Sequence, residues 1–178
     1  MANDKRMDCV ILGLLSHEPL TGYDIKKRID ESLSFFWNGS YGSIYPTLSK
    51  LTESGYVIKN EANDNGRDKL MYSITDAGKD VLLKWLKGPV IKDELRYETL
   101  LKLFFGGELG KQGTLEHIKR FEDKIKLELC TLQMYEENLR RVLDEADHKY
   151  YLLTVMFGIE TYKGYLKWCD NARKLLEE

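Results

Sequence analysis

Apolar residues follow three rhythms along the chain. Over residues 7–15 they run almost unbroken, through Cys9-Val10-Ile11-Leu12 and Leu14-Leu15, which predicts a short helix closed by Ser16-His17-Glu18-Pro19. A second helix is expected from Thr21, whose hydroxyl is placed to accept the backbone N–H of Asp24, with Ile25, Ile29 and Leu33 on one face. The aromatic cluster Phe35-Phe36-Trp37 ends in the turn Asn38-Gly39. A third helix over residues 43–54 turns Ile44, Leu48 and Leu51 inward, tolerates Pro46 in its first turn, and stops at Gly55 in a left-handed cap. The period then shortens to two. Tyr56-Val57-Ile58 and Leu70 to Ile74 predict two strands around the turn Asn63-Asp64-Asn65-Gly66, and Thr75 caps a fourth helix over residues 76–87 with Ala77, Val81, Leu82 and Trp85 as its apolar side.

Beyond the pair Gly88-Pro89 the texture changes. All three prolines lie in the first 89 residues, and glycine is absent from Thr114 through Phe157. After a helix over residues 96–105, one continuous helix is expected over 114–145, roughly 48 Å long at 1.5 Å per residue. Ile118, Ile125, Leu132 and Leu139 recur along it every seven residues. A last helix over 147–177 carries Leu152, Val155, Ile159, Tyr162 and Leu166 at alternating steps of three and four. Two such helices joined by a short turn can bury their faces against each other, yet their length exceeds what one small domain can cover. A second chain related by twofold symmetry is the simplest way to bury the remainder, so these nine residues are the expected dimerisation contacts. The fold class is thus mainly α: a winged helix-turn-helix of short helices plus one β-hairpin over residues 1–88, then an α-helical dimerisation domain over 89–178. In that arrangement the third helix is the reading element and the hairpin the wing.

Composition narrows the function. The 178 residues carry 27 Lys+Arg against 29 Asp+Glu, a formal charge of −2, with 43% hydrophobic and 31% charged residues; this is an ordinary globular balance with no basic signature. No apolar run approaches the roughly 20 residues of a membrane span, and the start of the chain carries no cleavage-site pattern, so a cytoplasmic protein is expected. Cys9, Cys130 and Cys169 never form a CxxC pair and are expected buried, without disulfide or metal. His17, His117 and His148 are scattered, and no HExxH, GxSxG or P-loop pattern occurs, which speaks against an enzyme and indicates no cofactor. Residues 1–88 hold twelve basic and twelve acidic residues, yet Ser32 to Thr52 contains no acid at all, only Lys50. The approach surface of the reading helix is therefore expected to repel no phosphate.

On that helix Ser43, Thr47 and Lys50 are read as the face opposite the apolar one: short donors for base edges and one cation for a phosphate. Ser40 and Tyr41 precede it, where helix N–H groups favour a phosphate. Tyr23 and Tyr45 combine an apolar body with a hydroxyl for a secondary phosphate contact. In the wing, Arg67 and Lys69 follow the turn glycine as a phosphate or minor-groove probe.

The ordered set Ile11 to Ile25 (ILGLLSHEPLTGYDI), Trp37, Gly42 to Val57 (GSIYPTLSKLTESGYV), Gly66-Arg67 and Tyr72 to Gly78 (YSITDAG) resembles the PadR family of bacterial transcriptional regulators. The second half resembles that family's longer C-terminal helical domain in length and pattern. The resemblance implies a homodimeric winged-helix repressor on double-stranded DNA, released from its operator by a small molecule in members whose inducer is known. Twofold symmetry in turn implies an inverted-repeat operator. Tyr162, Tyr165 and Trp168, within a wider set that includes Tyr150, Tyr151 and Phe157, are candidate contacts for a small aromatic effector; packing between chains is the competing role. The competing function is a winged helix that serves as a protein-interaction module without DNA binding.

Overall fold

The computed structural model describes residues 2–34, 36–37, 41–64, 67–90, 97–145 and 147–178, with side chains described outside 2–5, 41, 62–64 and 67–68. The chain divides into two compact units, Met1–Lys92 and Asp93–Glu178.

The first unit runs α1 (Ala2–Leu15), β1 (Leu20–Thr21), α2 (Gly22–Arg28), α3 (Ile44–Glu53), β2 (Val57–Asp64), β3 (Arg67–Ile74) and α4 (Asp76–Leu86). Its core gathers Ile11 and Leu12 of α1, Ile25 of α2, and Ile44, Leu48 and Leu51 of α3, each at most 2% exposed. Full burial of each such side chain contributes about 1.5–3 kcal/mol, so α3 is fixed chiefly by its inner face. The expected Thr21 cap is present as a reciprocal box: Thr21 Oγ1 accepts the Asp24 N–H at 3.1 Å, and the Asp24 carboxylate accepts the Thr21 N–H at 3.3 Å. Gly55 ends α3 with φ +72°. Thr75 caps α4 by accepting the Gly78 N–H at 3.1 Å while its hydroxyl donates to the Gly55 carbonyl at 2.8 Å. Gly78 lies so close to β2 that a Cβ there would sit 2.2 Å from the Tyr56 carbonyl oxygen.

Several elements depart from expectation. The first helix starts at Ala2. The second widens after Arg28 into a π-helical turn, Ile29–Leu33. The strands extend farther toward their turn, whose Asn65 and Gly66 lie outside the described residues. The two-residue strand β1 escaped the periodicity because a single alternation carries no pattern. It pairs antiparallel with β3, Leu20 opposite Tyr72, giving the sheet order β1-β3-β2. On α4 the apolar side is Gly78, Val81 and Leu82; Ala77 is exposed and Trp85 is half exposed.

The second unit comprises α5 (Glu98–Phe104), α6 (Gly110–Arg141) and α7 (His148–Glu177). The long helix starts at Gly110, four residues before the expected start at Thr114. Thr114 is instead inside the helix and donates its hydroxyl back to the Gly110 carbonyl at 2.8 Å. It stops at Arg141, where the Val142 N–H folds back to the Leu139 carbonyl and the Val142 carbonyl meets His148 Nδ1 at 2.9 Å. Helices α6 and α7 then run antiparallel: Phe121 reaches Trp168 near their far ends while Val142 meets His148 at the turn.

This packing corrects the expected dimer contacts. Ile118, Ile125 and Leu132 of α6 and Leu152, Val155, Ile159 and Tyr162 of α7 are buried within one chain, and Leu139 and Leu166 are half buried. The strongest apolar stripe on each helix is taken by its neighbour in the same chain, because a short turn delivers that neighbour at high effective concentration. Exposed instead are Leu127 and Met134 on α6, seven residues apart, and Tyr150, Leu153 and Phe157 on α7, spaced three and four. Cys9 and Cys169 are buried, but Cys130 is exposed, because its position on α6 falls outside the buried stripe. One buried acid was not foreseen. Glu122, 7% exposed, is held by Lys126 at 2.6 Å and by Arg173 of α7, which also pairs with Asp170. The hydrogen bond from Lys126, aided by Arg173 and opposed by burial, holds the Glu122 carboxyl below its ordinary range. Among the described residues no helix is long and apolar enough to cross a membrane.

Candidate nucleic-acid interface

The outer face of α3 is built by what its inner face leaves over. Ile44, Leu48 and Leu51 point into the core, and the exposed positions are Tyr45, Pro46, Ser49, Lys50 and Glu53. Two of the expected readers are therefore displaced. Thr47 is 4% exposed, and Ser43 is half buried. The reason lies in the helical period: Thr47 is three residues after Ile44 and four before Leu51, so it stands on the apolar ridge and not opposite it. Ser49 takes the outward position and was not anticipated, although its spacing of four from Tyr45 and Glu53 marks that face.

Tyr45 and Tyr23 are 63% and 68% exposed, respectively. The Tyr45 ring lies directly over Gly22, where an added Cβ would come within 2.6 Å of its Cε1. Glycine at this position thus lets the aromatic side chain of α3 rest on the first turn of α2, next to Tyr23. Two phenol hydroxyls on one exposed surface can donate to phosphate oxygens without a net charge.

The electrostatic expectation for this surface is overturned by the fold. Lys50 Nζ bonds Asp8 Oδ2 at 2.8 Å, across 42 residues of sequence, and Ser49 Oγ donates to Glu53 Oε1 at 3.1 Å. The acid-free run is thus supplied with carboxylates from α1 and from the end of α3. On the wing, Arg67 stands opposite Asp64 in the strand register, and Lys69 is exposed. Ser40 and the side chains of Tyr41 and Arg67 lie outside the described residues.

The candidate effector residues belong to a packed aromatic group in the second unit. Tyr165 contacts Tyr97 at 5.7 Å and Phe121 at 5.9 Å between ring centroids, Phe121 contacts Trp168 at 6.0 Å, and Tyr162 contacts Tyr165 at 5.9 Å. The Tyr97 and Tyr165 hydroxyls hydrogen-bond to each other, and the Tyr162 hydroxyl donates to the Glu128 carboxylate. Burial, reinforced by these neighbours, pushes the Tyr97 and Tyr162 phenols up, so both stay protonated donors. Tyr97 and Phe121 were missing from the sequence-based set, since the residue that precedes α5 and a residue on α6 share no helical period with α7. Tyr150, Tyr151 and Phe157 are exposed.

Comparison with known proteins agrees with this architecture over both units. Residues 11–84 match the transcriptional regulator PadR-like family, and residues 95–177 match the virulence activator alpha C-terminal family. The negative transcriptional regulator PadR of Bacillus subtilis is 30% identical, with 94% of this chain and 96% of that protein covered. The crystal structure of that PadR with operator DNA superposes with a TM-score of 0.84 at 31% identity, covering 95% of this chain and 96% of that one. Its complex with p-coumaric acid gives a TM-score of 0.73 at 29% identity, over 97% and 99% of the two chains. The Bacillus cereus PadR-like regulator BC1756 gives 0.80 at 28% identity, over 96% and 98%. A winged helix with an exposed reading face, followed by a helical unit, and similar along its whole length to these proteins, belongs to the PadR-like family of DNA-binding transcriptional regulators.

Proposed function

We propose that the protein is a homodimeric repressor that binds an inverted-repeat operator and is released by a small aromatic effector. The observation that carries this reading is the exposed face of α3, with Tyr45, Ser49 and neighbouring Tyr23, in a chain that matches an operator-bound relative over 95% of its length. Lys69 and Arg67 of the wing supply phosphate contacts beside it. The dimer uses the second unit, residues 89–178, through the apolar positions that intrachain packing leaves open: Leu127 and Met134 of α6, and Leu153 and Phe157 of α7. The effector enters the aromatic group around Tyr162, Tyr165 and Trp168, where the mutually bonded Tyr97 and Tyr165 hydroxyls have one proton left to donate to an acidic planar ligand of the p-coumaric acid type.

Selection of bound sequences from a random DNA pool tests the whole reading. The expected product is two inverted half-sites about one helical turn apart, roughly 34 Å. Recovery of no motif by a folded dimer would instead favour a protein-interaction module. Lys69→Ala should flatten the salt dependence of binding by about one unit of slope per protomer. Leu127→Glu combined with Leu153→Glu should yield monomers in sedimentation, and the effector part fails if phenolic acids alter neither Trp fluorescence nor operator retention.

A further inference from the structure

The pairing of Lys50 with Asp8 bears on how this reading helix meets phosphate. Lys50 is the only cation between Ser32 and Thr52, and on sequence it is the obvious electrostatic contact of α3. Its ammonium is instead bonded to Asp8 Oδ2 at 2.8 Å. The two ends of this pair differ in environment: the Lys50 side chain is 59% exposed and that of Asp8 only 20%. Asp8 Oδ1 is buried and accepts no hydrogen bond among the described residues. A carboxylate so enclosed depends on its cation, since leaving a buried charge unpaired is far costlier than leaving an exposed one. The ammonium is therefore bound more tightly to the fold than its own exposure indicates.

Resting on the DNA-binding reading above, we propose that Asp8 is a specificity-determining residue: it keeps Lys50 neutralised in the free and DNA-bound protein, so that α3 approaches the groove through Tyr45 and Ser49 without a net cation. Sequence-independent attraction to DNA arises from cations that displace the counterions of phosphates. Cancelling the one positive charge on the reading helix lowers that attraction while leaving the hydrogen-bonding groups in place. Glu53, which accepts from Ser49 at 3.1 Å, sits on the same face and acts in the same sense. The arrangement favours sites that satisfy hydrogen bonds over sites that merely offer charge.

The test measures association with a duplex carrying the half-sites recovered by selection, and with a scrambled duplex, between 50 and 200 mM salt. Failure of the wild type to bind any duplex removes the DNA-binding reading itself and is thereby distinguished from failure of this inference. In Asp8→Asn, Lys50 loses the Asp8 carboxylate that offsets its charge, and the slope of log affinity against log salt should steepen by about 0.9 per protomer. For a dimer this enlarges the loss of affinity between the two salt concentrations by about tenfold, and binding to the scrambled duplex should rise with it. An unchanged slope, or weaker binding with an unchanged melting temperature, overturns the proposal. Should Asp8→Asn fail to fold, Asp8→Ser serves the same measurement, and Lys50→Gln approaches the pair from its other side. Lys50→Gln should lower the melting temperature yet keep the wild-type salt slope. A slope flatter by about 0.9 per protomer in Lys50→Gln means that Lys50 leaves Asp8 for a phosphate, and that result also overturns it.

Discussion

The two units place their charges differently. While the buried Glu122 of α6 reaches across to Arg173 of α7, the exposed ion pairs along α6 are local: Arg120 with Glu116, Lys119 with Asp123, and Arg140 with Glu136 each join residues one helical turn apart. Such exposed pairs contribute a few tenths of a kcal/mol to the helix and say nothing about what packs on it. In the first unit the pairs that matter cross between elements, Lys50 to Asp8 and Arg28 to Glu18. There a local count of charges misleads, because the partner comes from a distant part of the chain. The lesson extends to shape. The first unit is closed by near contacts that admit no extra atom, as at Gly78, whereas the second is closed by a stripe and one buried acid and leaves large apolar side chains exposed.

That contrast can be broken from either side. The largest effect is expected from Gly78→Ala, whose methyl would press on the Tyr56 carbonyl, a backbone atom that cannot swing away; a loss of about 3 kcal/mol is expected in urea unfolding followed by circular dichroism. A loss below 1 kcal/mol would mean that this contact yields. In the second unit Arg173→Ala leaves Glu122 with Lys126 alone and should cost about 2 kcal/mol, less than for a pair with no second cation. Thr75→Ala removes a cap whose hydroxyl is both acceptor and donor and should cost about 1 kcal/mol, read as a lower urea midpoint.

The smallest effect is in the acid limb. Glu122 has a folded pKa below its ordinary 4.5, so its stabilising contribution is fully present above that value and is lost as pH falls through the depressed one. Glu122→Gln should therefore lower stability at neutral pH and flatten its decline below about pH 4.5. A variant that follows the wild-type acid limb would show that the carboxylate is not the group being titrated.

Much of this molecule was readable from its sequence, for reasons that differ by element. The caps at Thr21 and Thr75, the glycine stop at Gly55 and the inward face of α3 follow from local chemistry, and the structure contains them. Periodicity also identified the stripes of α6 and α7, which the two helices bury against each other, but it did not separate those positions from the ones left for a second chain, since a stripe specifies that something covers it and not what. Thr47 was misplaced by treating a polar residue as an outward one, although its spacing from Ile44 and Leu51 puts it inside. Asp8, Tyr97 and Phe121 join their sites from other elements, so no pattern within one helix could reveal them.

The two-residue strand β1 also orders events in time. It ties the twentieth residue of the chain to the seventy-second, so that the edge of the sheet cannot form until the hairpin has been made and brought back to the start. Loop closure of that size is slow compared with the zippering of two helices outward from a tight turn, which is how α6 and α7 can meet from His148 and Val142 onward. A full-length chain refolding from denaturant is thus expected to hold its helical unit before its reading head is complete. Amide protons of β1 and β3 should then gain protection last in a pulse-labelling experiment.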